Sequence, residues 1–416
     1  MNSFILSFLA IVTCLCFYLL KRGKNEFKTI TWVIYSFVFA IAFYLFISKV
    51  IYRIHTPEIW DFTCFYLYGK VAAAGYNFYS PESFHTVFNS LHLPFSDYND
   101  FIPEVVNVGF PYPPPTILYF VPLSFLSYNT ALAVWTIFNL FFLFGSIYLV
   151  YKLFFKEYQL HGLMLIMILF FILSPVRSTI FYSQTNFIVL FLLLLMKKYS
   201  NTRYAGVFLT LAMFTKPYMI VFIMFFILVK NWKAVIYFIL SSVVIVGLTI
   251  ALFGKEPFMS YIFNNSAHRL PAWVFSEGIN QSLHAVLLRA HLITIDKPII
   301  YVCISAAFLL ATGVYLLFLT KRKLYDYIWV ALLLVALMLY PGTLGYYGVL
   351  LLFISFQFFD KMKQLGFNSY INIAIIGIFY YLSSFSLFAT ICFFLFVIIL
   401  KSFGFFQRIR LIYAEV

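Results

Sequence analysis

Asp61 stands in "IYRIHTPEIWDFTCFYLYGKVAAAGYNFY" (residues 51–79), between a long apolar segment and a largely apolar, aromatic one. A carboxylate at a dry, partly shielded interface can take a proton from a hydroxyl nucleophile. On a helix Asp61 shares a face with Cys64, Phe65 and Tyr68, an aromatic wall suited to a sugar or a lipid. The plainer reading is that it caps an interfacial helix or pairs with Arg53 or Lys70. Lys216 in "MFTKPYMI" interrupts an apolar stretch, and Pro217 prevents helix continuation. It is either a snorkelling lysine at a span end or a phosphate contact. "SPVRSTIFYSQTNF" carries Arg177, Gln184 and Asn186. Arg177 could hold a phosphate or anchor the interface, and Asn186 could cap a helix or bind a ligand. His268 and Arg269 in "NNSAHRLPAWVF", with Asn280 and Gln281 in "GINQS", either line a polar site or belong to ordinary loop. No Gly-rich nucleotide loop or H-E-x-x-H motif occurs, and the seven histidines lack zinc-ligand spacing. Neither a metal nor another cofactor is expected.

The elements that must position these residues are membrane helices. The chain has 416 residues, 64% hydrophobic and only 10% charged, against about 25% charged in soluble domains. Apolar runs approaching the ~20 residues needed to cross a bilayer recur throughout, predicting an all-α polytopic bundle of about 12–13 spans. The shorter runs read as tilted, paired or partly re-entrant. The net charge of +14 forms no single patch, so nucleic acid is not indicated. Basic residues such as Lys21, Arg22, Lys197, Lys198, Lys230, Lys321, Lys323 and Lys361 fall in alternate short loops, which the positive-inside rule makes cytoplasmic. Nine of the 14 acidic residues lie in two long opposite loops, 52–115 and 254–297, so Asp61 is expected to face the exterior. Loops this long and this aromatic are expected to fold into amphipathic helices on the membrane surface. In the first, Gly75 should end a helix, with Ser80 as N-cap and Pro81 at the first position of the next. The charges of the first segment follow its apolar run, so it reads as a retained span rather than a signal peptide.

Taken in order, several stretches resemble glycosyltransferase family 87 of the GT-C superfamily. "DFTCFYLYGKVAAAGYNFYSPE" is similar to that family's D-[FL]-x-x-[FY]-Y…G-x-N-x-Y signature, and "FPYPPPTILYFVPLSFL" to its Y-P-P-x…P-L element. "SQTNFIVLFLLL" resembles its G-Q-x-N stretch, "LAMFTKPY" its K-P-Y break and "GINQSL" its N-Q-S motif. Two positions depart from the pattern. Ser183 replaces the usual glycine before Gln184. In "LYPGTLGYYGVLLLF", Tyr346 stands where a histidine often assists the sugar-donor site.

The resemblance implies an inverting, mannosyltransferase-like enzyme at the outer face of the cytoplasmic membrane, using a polyprenyl-phosphate-linked sugar and a lipid-linked or glycan acceptor. Asp61 would be the base. Lys216, with Arg269, His268 and Arg177, would hold the donor phosphate. Tyr68, Tyr79, Tyr112, Gln184, Asn186, Asn280, Gln281 and Tyr346 would line the substrate pocket. The expected organisation is an additional N-terminal span and loop (1–28), a GT-C-like catalytic module (29–255), and a second outer loop with a C-terminal transmembrane module (256–416). Competing classes are a lipid-linked saccharide flippase, which wants ionisable residues inside several spans, and a glycan ligase or polymerase, which wants more basic outer loops.

Overall fold

The computed structural model describes residues 3–22, 28–56, 61–88, 110–263, 275, 278–294, 298–356 and 369–403. Among them the backbone is helical, and the one β-type pairing is an isolated bridge between Asn280 and Leu344. The protein is an all-α polytopic membrane protein. Among the described residues, four helices are long and apolar enough to cross a bilayer: Lys28–His55, Tyr128–Phe155, Trp232–Phe253 and Ile299–Lys321. Gln159–Ile172 and Ser174–Phe181 form a further pair bent by 61°. Leu173 is extended there, and Pro175 in the next turn has no N–H to carry the ladder through.

Much of the remaining apolar sequence forms helices too short to cross alone. Tyr204–Thr215 has 12 residues, Asn186–Lys198 has 13 and Tyr325–Leu339 has 15. At about 1.5 Å per residue these cover roughly 18–22 Å of a ~30 Å hydrocarbon layer. Each has one end beside basic residues: Lys197 and Lys198, Arg203, or Lys321 to Lys323. Their other ends come together: Lys216 bonds Gln184, two residues before Asn186, and Tyr340 packs on Tyr218, two residues after Lys216. The shorter apolar runs, read from sequence as tilted, paired or partly re-entrant, are therefore short helices that stop at a shared interior level, where the polar side chains gather.

Lipid-facing helices pack through small residues. Trp232–Phe253 exposes Ile236, Ile239, Leu240, Val243 and Val244 and buries Ala234 and Thr249. It lies so close to Tyr204–Thr215 that a Cβ on Gly206 would fall 2.0 Å from the Ala234 carbonyl oxygen. The Ser3–Arg22 helix packs on the Ser369–Phe385 helix, with Ile11 against Gly377.

The first long loop folds as its turn residues require. The Asp61–Ala73 helix ends before Gly75, at φ +81°, a conformation that penalises a side chain. Ser80 caps the Pro81–Phe88 helix by accepting the Ser83 N–H at 3.2 Å. One expectation is revised. The Asp61–Ala73 helix is not an amphipathic element lying on a surface: Phe62, Phe65, Tyr66, Leu67, Tyr68, Val71 and Ala72 are all buried. Its roof is the proline strut 113–115, which runs into a 3₁₀ helix at Pro114–Tyr119. Phe65 stacks on Phe120 at 4.6 Å, and a Cβ on Gly69 would sit 2.7 Å from the Phe120 carbonyl oxygen. In the second long loop, Glu256–Phe263 and Leu283–Arg289 are helical, the latter capped by Ser282. His268 and Arg269 lie outside the described residues.

Candidate active site

Asp61 is the first residue of its helix, where unpaired backbone N–H groups favour an anion. It is partly accessible, whereas Phe62 and Thr63 beside it are buried. Its Oδ2 accepts the Gln184 amide nitrogen and the Tyr346 hydroxyl, the latter at 3.4 Å. Burial lifts its pKa above the usual carboxylate value. The Gln184 bond, the Lys216 charge, the Tyr346 hydroxyl and the Arg53 charge oppose that rise without cancelling it. Lys70 lies over the Tyr66 ring, with its nitrogen 5.4 Å from the centroid.

Gln184 can present only one end to Asp61. Its Oε1 accepts Lys216 Nζ at 3.2 Å and the Tyr112 hydroxyl at 3.3 Å, so its NH₂ faces the carboxylate. The turn holding it explains the glycine usual at the preceding position. Ser183 has φ +53°, a left-handed conformation that glycine adopts without strain. Serine returns a contact that glycine lacks, because its Oγ accepts Arg53 Nε at 2.9 Å. The Ser183 carbonyl also accepts the Trp135 indole N–H at 2.8 Å.

Lys216 is fully buried in the break between Tyr204–Thr215 and the 3₁₀ turn Pro217–Phe222. It does not snorkel. Its three protons go to the Tyr112 hydroxyl (2.8 Å), the Tyr347 hydroxyl (2.9 Å) and Gln184. Its nitrogen also sits 4.6 Å and 4.4 Å from the centroids of those two tyrosine rings. All three acceptors are neutral, so the nearby carboxylate of Asp61 is reached through Gln184. Tyr79 steadies this arrangement by donating to the Tyr112 carbonyl.

Other expected residues serve as framework. Asn186 donates to the Tyr346 carbonyl and to Thr179 Oγ1, at 3.4 and 3.3 Å. Asn280 donates to the Pro341 carbonyl at 2.7 Å and accepts the Ser282 N–H at 3.0 Å. Gln281 N–H bonds the Thr343 carbonyl at 2.7 Å, and its side-chain oxygen accepts Ser386 Oγ at 2.9 Å. These bonds fix the 341–345 turn and so aim Tyr346 at Asp61. Tyr68 packs on Phe84 and Phe110, away from the carboxylate. Arg177 is half-buried on the Ser174–Phe181 helix and is not among the charges that act on Asp61.

Two contributors were not singled out from sequence as site residues. Tyr347 hides in the "GYYG" doublet. Arg53 carried a signal: the buried residues of its helix are Thr31, Tyr35, Val38, Ala42, Phe46, Val50 and Arg53, at helical spacing. A cation on a buried stripe needs polar partners.

The family model of glycosyltransferase family 87 matches residues 110–344. No curated protein and no solved structure matches the chain. The matched stretch contains Tyr112, Gln184, Lys216 and Asn280. Asp61 precedes it and Tyr346 follows it, and both join the site through the bonds above. Because the match spans more than half of its length, the chain belongs to glycosyltransferase family 87 and is a membrane glycosyltransferase.

Proposed function

We propose that this protein moves a sugar, mannose in the first instance, from a polyprenyl-phosphate carrier to a hydroxyl of a lipid-linked or glycan acceptor, with inversion. Asp61 is the base. The observation that carries this reading is the asymmetry of its carboxylate: Oδ2 takes the bonds from Gln184 and Tyr346, which leaves Oδ1 to accept a hydroxyl proton. A carboxylate lifted above its usual pKa is also a better base near neutral pH. As the acceptor oxygen attacks the anomeric carbon, its proton passes to Asp61, the carbon–oxygen bond to phosphate breaks, and the carrier phosphate departs with the electron pair.

The departing phosphate needs positive charge. Lys216 supplies it, partly through tyrosine: the Tyr347 hydroxyl accepts from Lys216, which polarises its own proton toward a phosphate oxygen. Tyr218, stacked 5.8 Å from Tyr347, is buried with no hydrogen-bond partner for its hydroxyl among the described residues. It is a second neutral donor beside the cation. Arg177, Arg269 and His268 complete the phosphate set in this reading. The basic ends of the short helices mark the cytoplasmic side, so the site opens toward the exterior, below the outer surface of the membrane.

The test uses purified protein in lipid nanodiscs with radiolabelled polyprenyl-phosphate sugars and a membrane lipid extract as acceptor. Asp61→Asn should lower transfer by about 10²- to 10⁴-fold. Wild-type rates in that variant would sink the mechanism.

A further inference from the structure

A cavity borders Tyr346, and Lys216 is not among its lining residues. It is an open cleft of about 190 Å³. That is room for one sugar ring. Its polar lining is Ser174, Ser178, Ser383, Ser384, Ser386 and Gln281. No charged side chain is among its described lining residues. The Ser383 and Ser384 hydroxyls donate to helix carbonyls at 3.3 and 2.8 Å, leaving their lone pairs to accept from a ligand. Ser174 and Ser178 have no side-chain hydrogen bond among the described residues. Tyr182 and Tyr346 add ring faces, with centroids 5.4 Å apart.

Two glycines on the rim sharpen the picture. Among the described residues, a Cβ on Gly278 or Gly345 would meet nothing within 4 Å, and neither residue has a positive φ. The fold therefore has no need of glycine at either position. What a side chain there would remove is space in the cleft.

The geometry points to this cleft as the seat of an uncharged sugar ring, that of the acceptor, presented to Asp61 past the Tyr346 hydroxyl. Hydroxyls that both donate and accept, set beside aromatic faces, match a polyol with apolar ring edges. A phosphate-bearing carrier would look for charge, which lies across Gln184 at Lys216 and not here. The assignment to the acceptor rests on Asp61 being the base; the sugar-binding cleft itself does not.

The experiment is saturation-transfer NMR on the full chain in nanodiscs, with methyl glycosides of mannose, glucose and galactose as probes. At least one glycoside should give signal with wild type and with Asp61→Asn. That signal should drop about tenfold in Gly345→Leu and in Gly278→Leu, and severalfold in Ser178→Val. Each variant is first checked for wild-type melting, and any one that folds suffices. Octyl glucoside against methyl glucoside separates a lipid-borne ring from a free one: tighter octyl binding marks the lipid, equal binding the free glycan, and both uphold the cleft. No glycoside signal in wild type, or undiminished signal in a folded cleft-filling variant, overturns the proposal. Loss of signal with transfer intact overturns the acceptor assignment alone. Intact transfer in Asp61→Asn instead removes the base and leaves the cleft standing.

Discussion

The two sides of Asp61 are built on opposite principles. Toward Lys216 the site is closed, aromatic and cationic, with every ammonium proton already given to a neutral acceptor. Toward Ser178 it is open, hydroxyl-rich and uncharged. Gln184 and Tyr346 stand between the two and both bond the same carboxylate oxygen. The difference teaches where each substrate half belongs. Charge that must develop during reaction is best met by a cation fixed beforehand in a dry place, while a neutral ring is best recognised by hydroxyls that cost little to desolvate. Lys216→Met breaks the comparison most directly. Transfer should fall by about 10²- to 10³-fold, while glycoside binding in the cleft keeps its wild-type level. If both fell together, the two sides would not be separate functions.

Gln184→Ala is a smaller and more diagnostic change. The Gln184 bond is the largest of the effects that hold the Asp61 pKa down against burial. The base works only when deprotonated, so activity is lost as pH falls through the Asp61 pKa, and the acid limb of wild type should lie above the ordinary carboxylate range. Removing Gln184 raises that pKa further, so the limb should move to higher pH. The loss should therefore be severalfold near neutrality and shrink in alkaline buffer. A uniform loss at every pH would mean that Gln184 acts on the substrate and not through Asp61.

How much of this could be read from sequence differs sharply between local and long-range features. Gly75 as a helix stop, the Ser80–Pro81 start and the break at Lys216 are local chemistry, and each stands where its residues predict. The polar motifs were legible as motifs. Their partners were not, since Asp61 and Tyr346 meet across 285 positions and Asp61 and Gln184 across 123. Hydropathy shows that a segment is apolar, not where its helix stops, so the short runs read as tilted, paired or partly re-entrant while the level that their helices share stayed hidden. The same blindness concealed the cleft, which is made of helix ends at Ser174, Ser386 and Gly345. Asn186 and Asn280 looked like ligand contacts because a buried amide tied to a backbone turn has the same sequence appearance as one awaiting a substrate.

The smallest expected effect tests the floor on which both sides rest. Ser183→Gly restores the residue usual in the resembled motif and removes a left-handed serine, a relief of about 1 kcal/mol. It also removes the oxygen that accepts Arg53 Nε, and Arg53 is 1% exposed. A hydrogen bond to a charged group contributes about 1.5–3 kcal/mol, and the loss stays in the lower part of that range because Arg53 keeps its bond to Tyr128. The lost bond therefore outweighs the relieved strain, and Ser183→Gly should destabilise the protein by about 1 kcal/mol, lowering its melting temperature in nanodiscs by a few degrees. Because the Arg53 charge also favours the ionised Asp61, removing one of the bonds that position the guanidinium should shift the acid limb slightly, and less than Gln184→Ala does. A melting temperature that rises would show that Arg53 finds another acceptor at no cost, and that glycine suits the turn in this chain as it does in the resembled motif.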